Sequence, residues 1–361
     1  MKLKIAGSLM LSAMLVFSSS AMAQDSTVDV SKTELFQTSA AVLKKHGLTD
    51  EVISKLGQDI YPLTNEIKTK NLTKEQINNY IDGIEKANEQ QRKVKENREK
   101  GIVDESVQVT REVVDGMVTL SNGHKIPVPQ RNKGSEDKVS PAGATAHGPY
   151  YNVDARVGFN QVTHWVDLPW VYSTTPRGII PYVLGGAYVT NWNNSEYFGG
   201  ADVGAFYEWG VWKLAINGKS KAGNNYWTQS TKELPGGKIY LNYKVSADNQ
   251  LQITASDSNY VYITSISYWF PDIYLKADGS NVEMATGFSM AYKNVNSVND
   301  GSFLRHGHIY NASVYSPSWY SLMDPSVVVH EQKKGTPIEI SKINVSTMAN
   351  YHDYYVDINL N

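Results

Sequence analysis

The chain has 361 residues, a formal net charge of −2 and no cysteine, which excludes disulfide staples, a cysteine-borne lipid and thiolate chemistry. Lys and Arg are interspersed with Asp and Glu along its length, so the concentrated basic face that nucleic acid requires is not expected. No apolar stretch of about 18 residues occurs past the N-terminal region, so no membrane insertion is expected, and a chain of this length can be held by core burial alone.

Lys2 and Lys4 precede a mostly apolar run over residues 5–17, and Ala21-Met22-Ala23 supplies the small-x-small pattern read by signal peptidase. Residues 1–23 are therefore predicted to be a cleavable export signal, cut after Ala23. Loss of Lys2 and Lys4 with no acidic residue takes the formal charge from −2 to −4. The expected location is secreted and extracellular, or periplasmic in a Gram-negative cell.

Residues 24–103 read as helices. Ser31 followed by Glu34 has the form of a capping box, Leu35, Ala40, Val42 and Leu43 form an apolar stripe, and Gly47 stands where a helix end favours a left-handed residue. Leu48-Thr49-Asp50-Glu51-Val52-Ile53 and Leu72-Thr73-Lys74-Glu75-Gln76-Ile77 form a weak repeat, with Ile60 and Ile84 in register. Each Thr can cap a helix, Gln76 completes a capping box with Thr73, and Pro62 interrupts the first copy. The mixed charges of residues 90–100, Glu96 and Glu99 among the bases, fit a solvated helix. Such a polar helical region serves as a spacer, a propeptide or an adaptor.

Residues 104–129 change to β-branched runs broken by Asp115-Gly116 and Asn122-Gly123, dipeptides that favour two-residue hairpins; a small three-stranded meander is predicted. Residues 130–147 have little to bury and read as a linker. From 148 to 361, short period-two runs recur between Gly, Pro, Asn and Asp clusters, and all eight Trp stand at or beyond Trp165. No helical crossovers separate the runs, which argues against a parallel sheet. The predicted fold is mainly β, an antiparallel two-sheet jelly-roll sandwich of the concanavalin type, preceded by a small α-helical region. In residues 238–245, Ile239, Leu241, Tyr243 and Val245 share the expected core face, and Tyr240, Asn242 and Lys244 the other.

The runs Tyr150-Tyr151-Asn152-Val153-Asp154-Ala155-Arg156-Val157 and Gly200-Ala201-Asp202-Val203-Gly204-Ala205-Phe206-Tyr207, with Trp212-Lys213 after them, resemble the YrpD-like secreted bacterial proteins. The resemblance spans roughly residues 150–361, leaves the helical region outside, and implies export and a β-sandwich but no catalytic residues.

The leading functional expectation is binding of an extracellular or cell-wall polysaccharide without catalysis, because sugar faces stack on Tyr and Trp rings while hydroxyls need fixed polar partners. Alternation in residues 260–270 places Tyr260, Tyr262, Thr264, Ile266 and Tyr268 on one side, and Tyr240 and Asn242 have the same polarity on another strand. Tyr240, Asn242, Tyr260, Tyr262 and Tyr268 are the candidate ligand-binding residues. The plainer reading, in which these tyrosines only cover a half-wet sheet face, stands beside it.

The alternative is a glycan-active hydrolase or lyase, for which Glu196 and Glu208, flanking a turn at Gly199-Gly200, are the best carboxylate pair. A glutamic-peptidase site would need a facing Gln and Glu, and the central strand offers Asp202 where a Gln would be wanted. A structural or matrix protein that assembles through its helices is a further alternative. His306-Gly307-His308 places two imidazoles on one strand face, short of a metal site, and Arg305 opposes a cation. His164, His330 and His352 carry no pattern. No nucleophile elbow, phosphate loop or dinucleotide fingerprint occurs. No cofactor is expected beyond a calcium ion of the kind such sandwiches carry, with Asp272, Asp278, Asn281, Asn299 and Asp300 in turn-rich segments.

Overall fold

The computed structural model describes residues 31, 33–102, 104–128, 148–173, 178–191, 196–292, 298–347 and 350–361, with backbone alone at 191 and 196–198. The expected export signal and the linker at 130–147 lie outside the described residues.

The helices are α1 (Glu34–Lys45), α2 (Asp50–Leu56), α3 (Ile60–Lys70), α4 (Lys74–Glu99) and, near the far end, the single turn α5 (Pro337–Ile340). Local sequence explains their ends. Thr49 Oγ1 accepts from Val52 N, and Thr73 and Gln76 form the full capping box at α4, each cap contributing about 1 kcal/mol. At α1 the cap is Thr33, which accepts from Phe36 N, rather than Ser31. Gly47 takes a φ of 86° just beyond α1. A 3-10 turn over Gly57–Asp59 separates α2 from α3. Pro62 therefore falls in the first turn of α3, where a missing N–H breaks no intrahelical bond.

The strands are β1 (Gln108–Arg111), β2 (Val113–Val114), β3 (Met117–Thr119), β4 (Lys125–Pro127), β5 (Tyr150–Ala155), β6 (Gln161–Asp167), β7 (Trp170–Tyr172), β8 (Ile180–Asn191), β9 (Glu196–Glu208), β10 (Val211–Ser220), β11 (Asn225–Leu234), β12 (Lys238–Ala247), β13 (Gln250–Ser256), β14 (Tyr262–Trp269), β15 (Val282–Ala291), β16 (Ser302–Tyr315), β17 (Tyr320–Leu322), β18 (Val328–Lys334), β19 (Ile343–Thr347) and β20 (Tyr354–Leu360). An eight-stranded sheet runs β1-β11-β10-β9-β8-β15-β5-β18, and a nine-stranded sheet runs β14-β13-β12-β6-β16-β20-β19 with β7 and β17 added on β16. The two sheets pack face to face as the expected antiparallel sandwich with its small helical region in front. Strands β2, β3 and β4 form the meander, its first turn built on Asp115 and Gly116, both at positive φ.

Period-two alternation sets the core. Ile239, Leu241, Tyr243 and Val245 of β12 are buried between the sheets with Val162 and Val166 of β6, Ile309 of β16 and Val356 and Ile358 of β20. Their neighbours in sequence therefore face outward, and both outer faces carry a cover. Val118, Leu120, Ile126 and Val128 of the meander pack on Tyr182, Phe206, Ala215 and Trp227 of the eight-stranded sheet. Helices α1 to α4 pack on Trp165, Tyr240, Tyr260 and Tyr315 of the nine-stranded sheet.

Candidate functional site

The outer face of the nine-stranded sheet divides into a covered half and an open half. In the covered half, β6 presents Gln161, Thr163 and Trp165, and β12 presents Tyr240, Asn242 and Lys244, because their alternate residues are in the core. Helix α3 and the turn before it lie over them. Asp59 Oδ1 accepts from Gln161 Nε2 at 3.0 Å and Asp59 Oδ2 pairs with Lys244 Nζ at 2.5 Å. Gln161 Nε2 also donates to Asn242 Oδ1 at 2.9 Å, while Gln161 Oε1 is buried with no protein partner. Two turns further along, Glu66 accepts from Trp165 Nε1 at 3.1 Å and from the Tyr260 hydroxyl. Lys70 Nζ sits 3.6 Å above the Trp165 ring and 3.4 Å from Glu66; its burial pulls the ammonium down to about 8, against the opposing pull of Glu66.

The candidate ligand-binding tyrosines are thus brought together only in part. Tyr240 and Tyr260 are 3% and 1% exposed and touch each other, Trp165 and Tyr80 of α4 ring to ring. Burial, and for Tyr260 the adjacent Glu66, pushes both phenols above their ordinary range. Asn242 is buried beside them. Tyr262, half-buried, donates to Gln90 Oε1 of α4 at 2.7 Å, so it too meets a helix.

The row expected over residues 260–268 is not one face. Tyr260 precedes β14 in a turn, at a φ of 61° that disfavours aromatic residues. Pairing of β13 with β14 slips between Ala255 and Ser256. Past that bulge Ile266 lies in the inter-sheet core, and Tyr268 packs on Tyr226 of the opposite sheet and on Phe270. An inserted residue inverts every later side chain of a strand, which is why alternation misplaced Tyr268.

The carboxylate pair is corrected as well. Glu196 and Glu208 are the two ends of β9, with no turn between them. At about 3.3 Å per residue they stand roughly 40 Å apart, against the 5 to 9 Å of a glycosidase pair. Glu208 is buried, which raises its carboxyl above the usual range despite Lys213 nearby. Asp202, on the outer face of the eight-stranded sheet, accepts from the Tyr188 hydroxyl at 2.5 Å and from Asn217 at 3.4 Å.

The two imidazoles also part company. His306 takes a φ of 58° and the β16–β20 pairing slips between Leu304 and Gly307. His306 meets the edge of Trp170, whereas His308 lies between Asp167 at 3.2 Å and Asp353 at 2.8 Å. Of the turn residues considered for calcium, Asp272 accepts from Tyr226 and Asn224, Asn281 from Lys276 N and Asp300 from Ser302 N. Among the described residues no three His, Asp or Glu side chains cluster as ligands, and no helix is long and apolar enough to cross a membrane.

The open half is the arrangement that sequence reasoning missed. Pairing of β7 with β16 sets Tyr172 beside Phe303 and Trp170 beside Arg305, with Val171 and Leu304 turned to the core. Trp170 is 71% exposed and Tyr172 54%. The Tyr172 and Phe303 rings stack at 5.9 Å, and the Arg305 guanidinium lies 4.1 Å over Phe303 while Nε donates to Asn359 at 2.5 Å. A second stack, Tyr355 on His308 at 3.8 Å and His308 on Tyr310 at 4.7 Å, continues the strip. Tyr310 then stacks on Trp165, where the helical cover begins. The signal was present in sequence as Trp170-Val171-Tyr172, an alternating aromatic triplet, but its partner strand was not.

No protein-family model and no curated protein sequence matches the chain. Among solved structures it is similar to scytalido-glutamic peptidase bound to a transition-state analogue inhibitor, at 10% identity and a TM-score of 0.39 over 59% of this chain and 98% of that one. It is also similar to a glycoside hydrolase family 16 endo-glucanase from Bacteroides ovatus, at 12% identity and a TM-score of 0.23 over 54% of this chain and 84% of that one. At these scores neither passes a function to this chain.

Proposed function

We propose that this chain is an exported protein that binds polysaccharide, without catalysis, on the open half of the nine-stranded sheet. The observation that carries the reading is the pair Trp170 and Tyr172, exposed side by side on one short strand. Large rings that keep more than half their surface in water gain little from packing there, and sugar C–H faces stack on them well. Fixed polar groups stand within the same strip: Arg305 held by Asn359, and Asp167 and Asp353 held by His308. These suit hydroxyl groups, which need a few placed partners. Tyr240, Tyr260 and Asn242 are not assigned to this open site, because the helices occupy them.

The test is a polysaccharide pull-down and glycan array with the full chain, with a reducing-end assay on the same mixtures. Retention that falls at least tenfold in Trp170→Ala and Tyr172→Ala, with no new reducing ends, supports the reading. Retention unaffected by both changes overturns the site, and new ends overturn the absence of catalysis.

A further inference from the structure

The covered half of the sheet adds to its apolar helix packing a set of buried charges that helix packing does not need. Two carboxylates seven residues apart, Asp59 in the turn before α3 and Glu66 on α3, are only 2% and 1% exposed. Each is received by donors on the sheet, Gln161 and Lys244 for the first and Trp165 and Tyr260 for the second. Burying ionised carboxylates is costly even when they are paired, so apolar packing would have served adhesion better. The cover is also an imperfect fit. Gln161 Oε1, on a residue with no exposed surface, has no protein partner, and neither has the buried Thr64 Oγ1 of α3. Tyr260 keeps a left-handed backbone while its hydroxyl meets Glu66, a strain of the sort retained at binding sites. The floor under the helices is aromatic: Trp165, Tyr240, Tyr260 and Tyr315.

We infer that helices α1 to α4 are a displaceable cover over a second binding face, that this face takes an acidic polysaccharide, and that Asp59 and Glu66 stand in for two of its uronate carboxylates. The positions on the cover are two helical turns apart, about 10 Å at 1.5 Å per residue, so a ligand with regularly repeated carboxylates fits better than a single acid. Aromatic rings beside the buried donors suit sugar rings that carry carboxylates. Release has a defined place, since residues 101, 102 and 104–106, between α4 and β1, are exposed. This inference does not depend on the open strip.

The experiment uses the full chain with a specific protease site placed between Asp104 and Ser106, probed with polygalacturonate and, as neutral control, dextran. Cutting is expected to raise polygalacturonate affinity at least tenfold, to leave dextran retention as it was, and to lose the gain in Lys244→Gln. In the uncut chain Glu66→Gln loosens the cover, and it is expected to raise both amide exchange in α3 and polygalacturonate affinity; this variant decides the matter if the cut protein does not stay folded. The proposal is overturned if neither treatment raises polygalacturonate affinity, if dextran gains equally, or if the gain survives Lys244→Gln. Failure of the open strip would instead appear as dextran and other neutral polymers ignoring Trp170→Ala.

Discussion

The two outer faces of the sandwich are covered by different chemistry. On the eight-stranded sheet, the meander meets Tyr182, Phe206 and Trp227 through Val118, Leu120, Ile126 and Val128, an apolar contact. On the nine-stranded sheet, the helices bring Asp59, Asn65 and Glu66 onto Lys244, Gln161, Tyr315, Trp165 and Tyr260. An apolar contact is non-directional and resists separation in proportion to its area. A buried polar contact stands only while every partner is in place, and each missing partner leaves a desolvated group behind. Apolar contact also holds the helices, through Ile60, Tyr61, Leu63 and Ile67 among others, so what sets the helical cover apart is the buried charged set that is left unpaired when one partner is lost.

The largest test of that contrast is a pair of substitutions. Glu66→Ala strands two sheet donors and Lys70, and should weaken helix docking by about 3–5 kcal/mol. Trp227→Ala opens a cavity beneath the meander and should cost a similar amount, about 3–5 kcal/mol. Native-state hydrogen exchange separates them: faster exchange confined to α1–α4 in the first variant, and a lowered global stability in the second. A global loss in both would erase the distinction.

Acid should act on stability through the sandwich core. His164 of β6 points inward against Tyr243, its Nδ1 3.3 Å from the Trp165 carbonyl. Burial lowers it to about 4. The unfolded chain then binds a proton that the folded one refuses between about pH 6.5 and 4, so this contribution to stability is complete above pH 6.5 and is lost as pH falls through 4. The loss is on the order of 3 kcal/mol. Denaturant titrations at pH 7 and pH 4 on the chain and on His164→Gln should show a smaller pH dependence in the variant.

A cap makes a finer probe of the helical cover. Thr73→Ala removes the oxygen that accepts from Gln76 N and should cost about 1 kcal/mol, read as faster exchange in the first turns of α4. The smallest effect on stability belongs to the open strip. Trp170→Ala removes an exposed ring and should move stability by no more than about 0.5 kcal/mol in thermal unfolding, while retention on polysaccharide falls as described above.

Much of the architecture was legible in residue order because local chemistry specifies it. Thr49, Thr73 and Gln76 mark helix starts by their own hydrogen bonds; Asp115-Gly116 marks a hairpin because two successive residues must take positive φ; and alternation in 238–245 sorts Ile239, Leu241, Tyr243 and Val245 inward. The candidate site was legible only in its composition. Tyr240, Asn242 and Tyr262 do face outward, as alternation requires, but the helix residues that cover them lie some 160 to 190 positions away in the chain, as with Tyr80 on Tyr240 and Asp59 on Lys244. Period alone is blind to such partners. It is equally blind to the bulge at Ser256 that turns Tyr268 inward and to the pairing of β7 with β16 that leaves Trp170 in solvent. Residue order by itself determined which side chains leave the core wherever a strand runs without a bulge, since that follows from a repeat of two. Only the tertiary structure decided which of them meet water and which meet Asp59 and Glu66, because that depends on which distant segment comes to rest on the sheet.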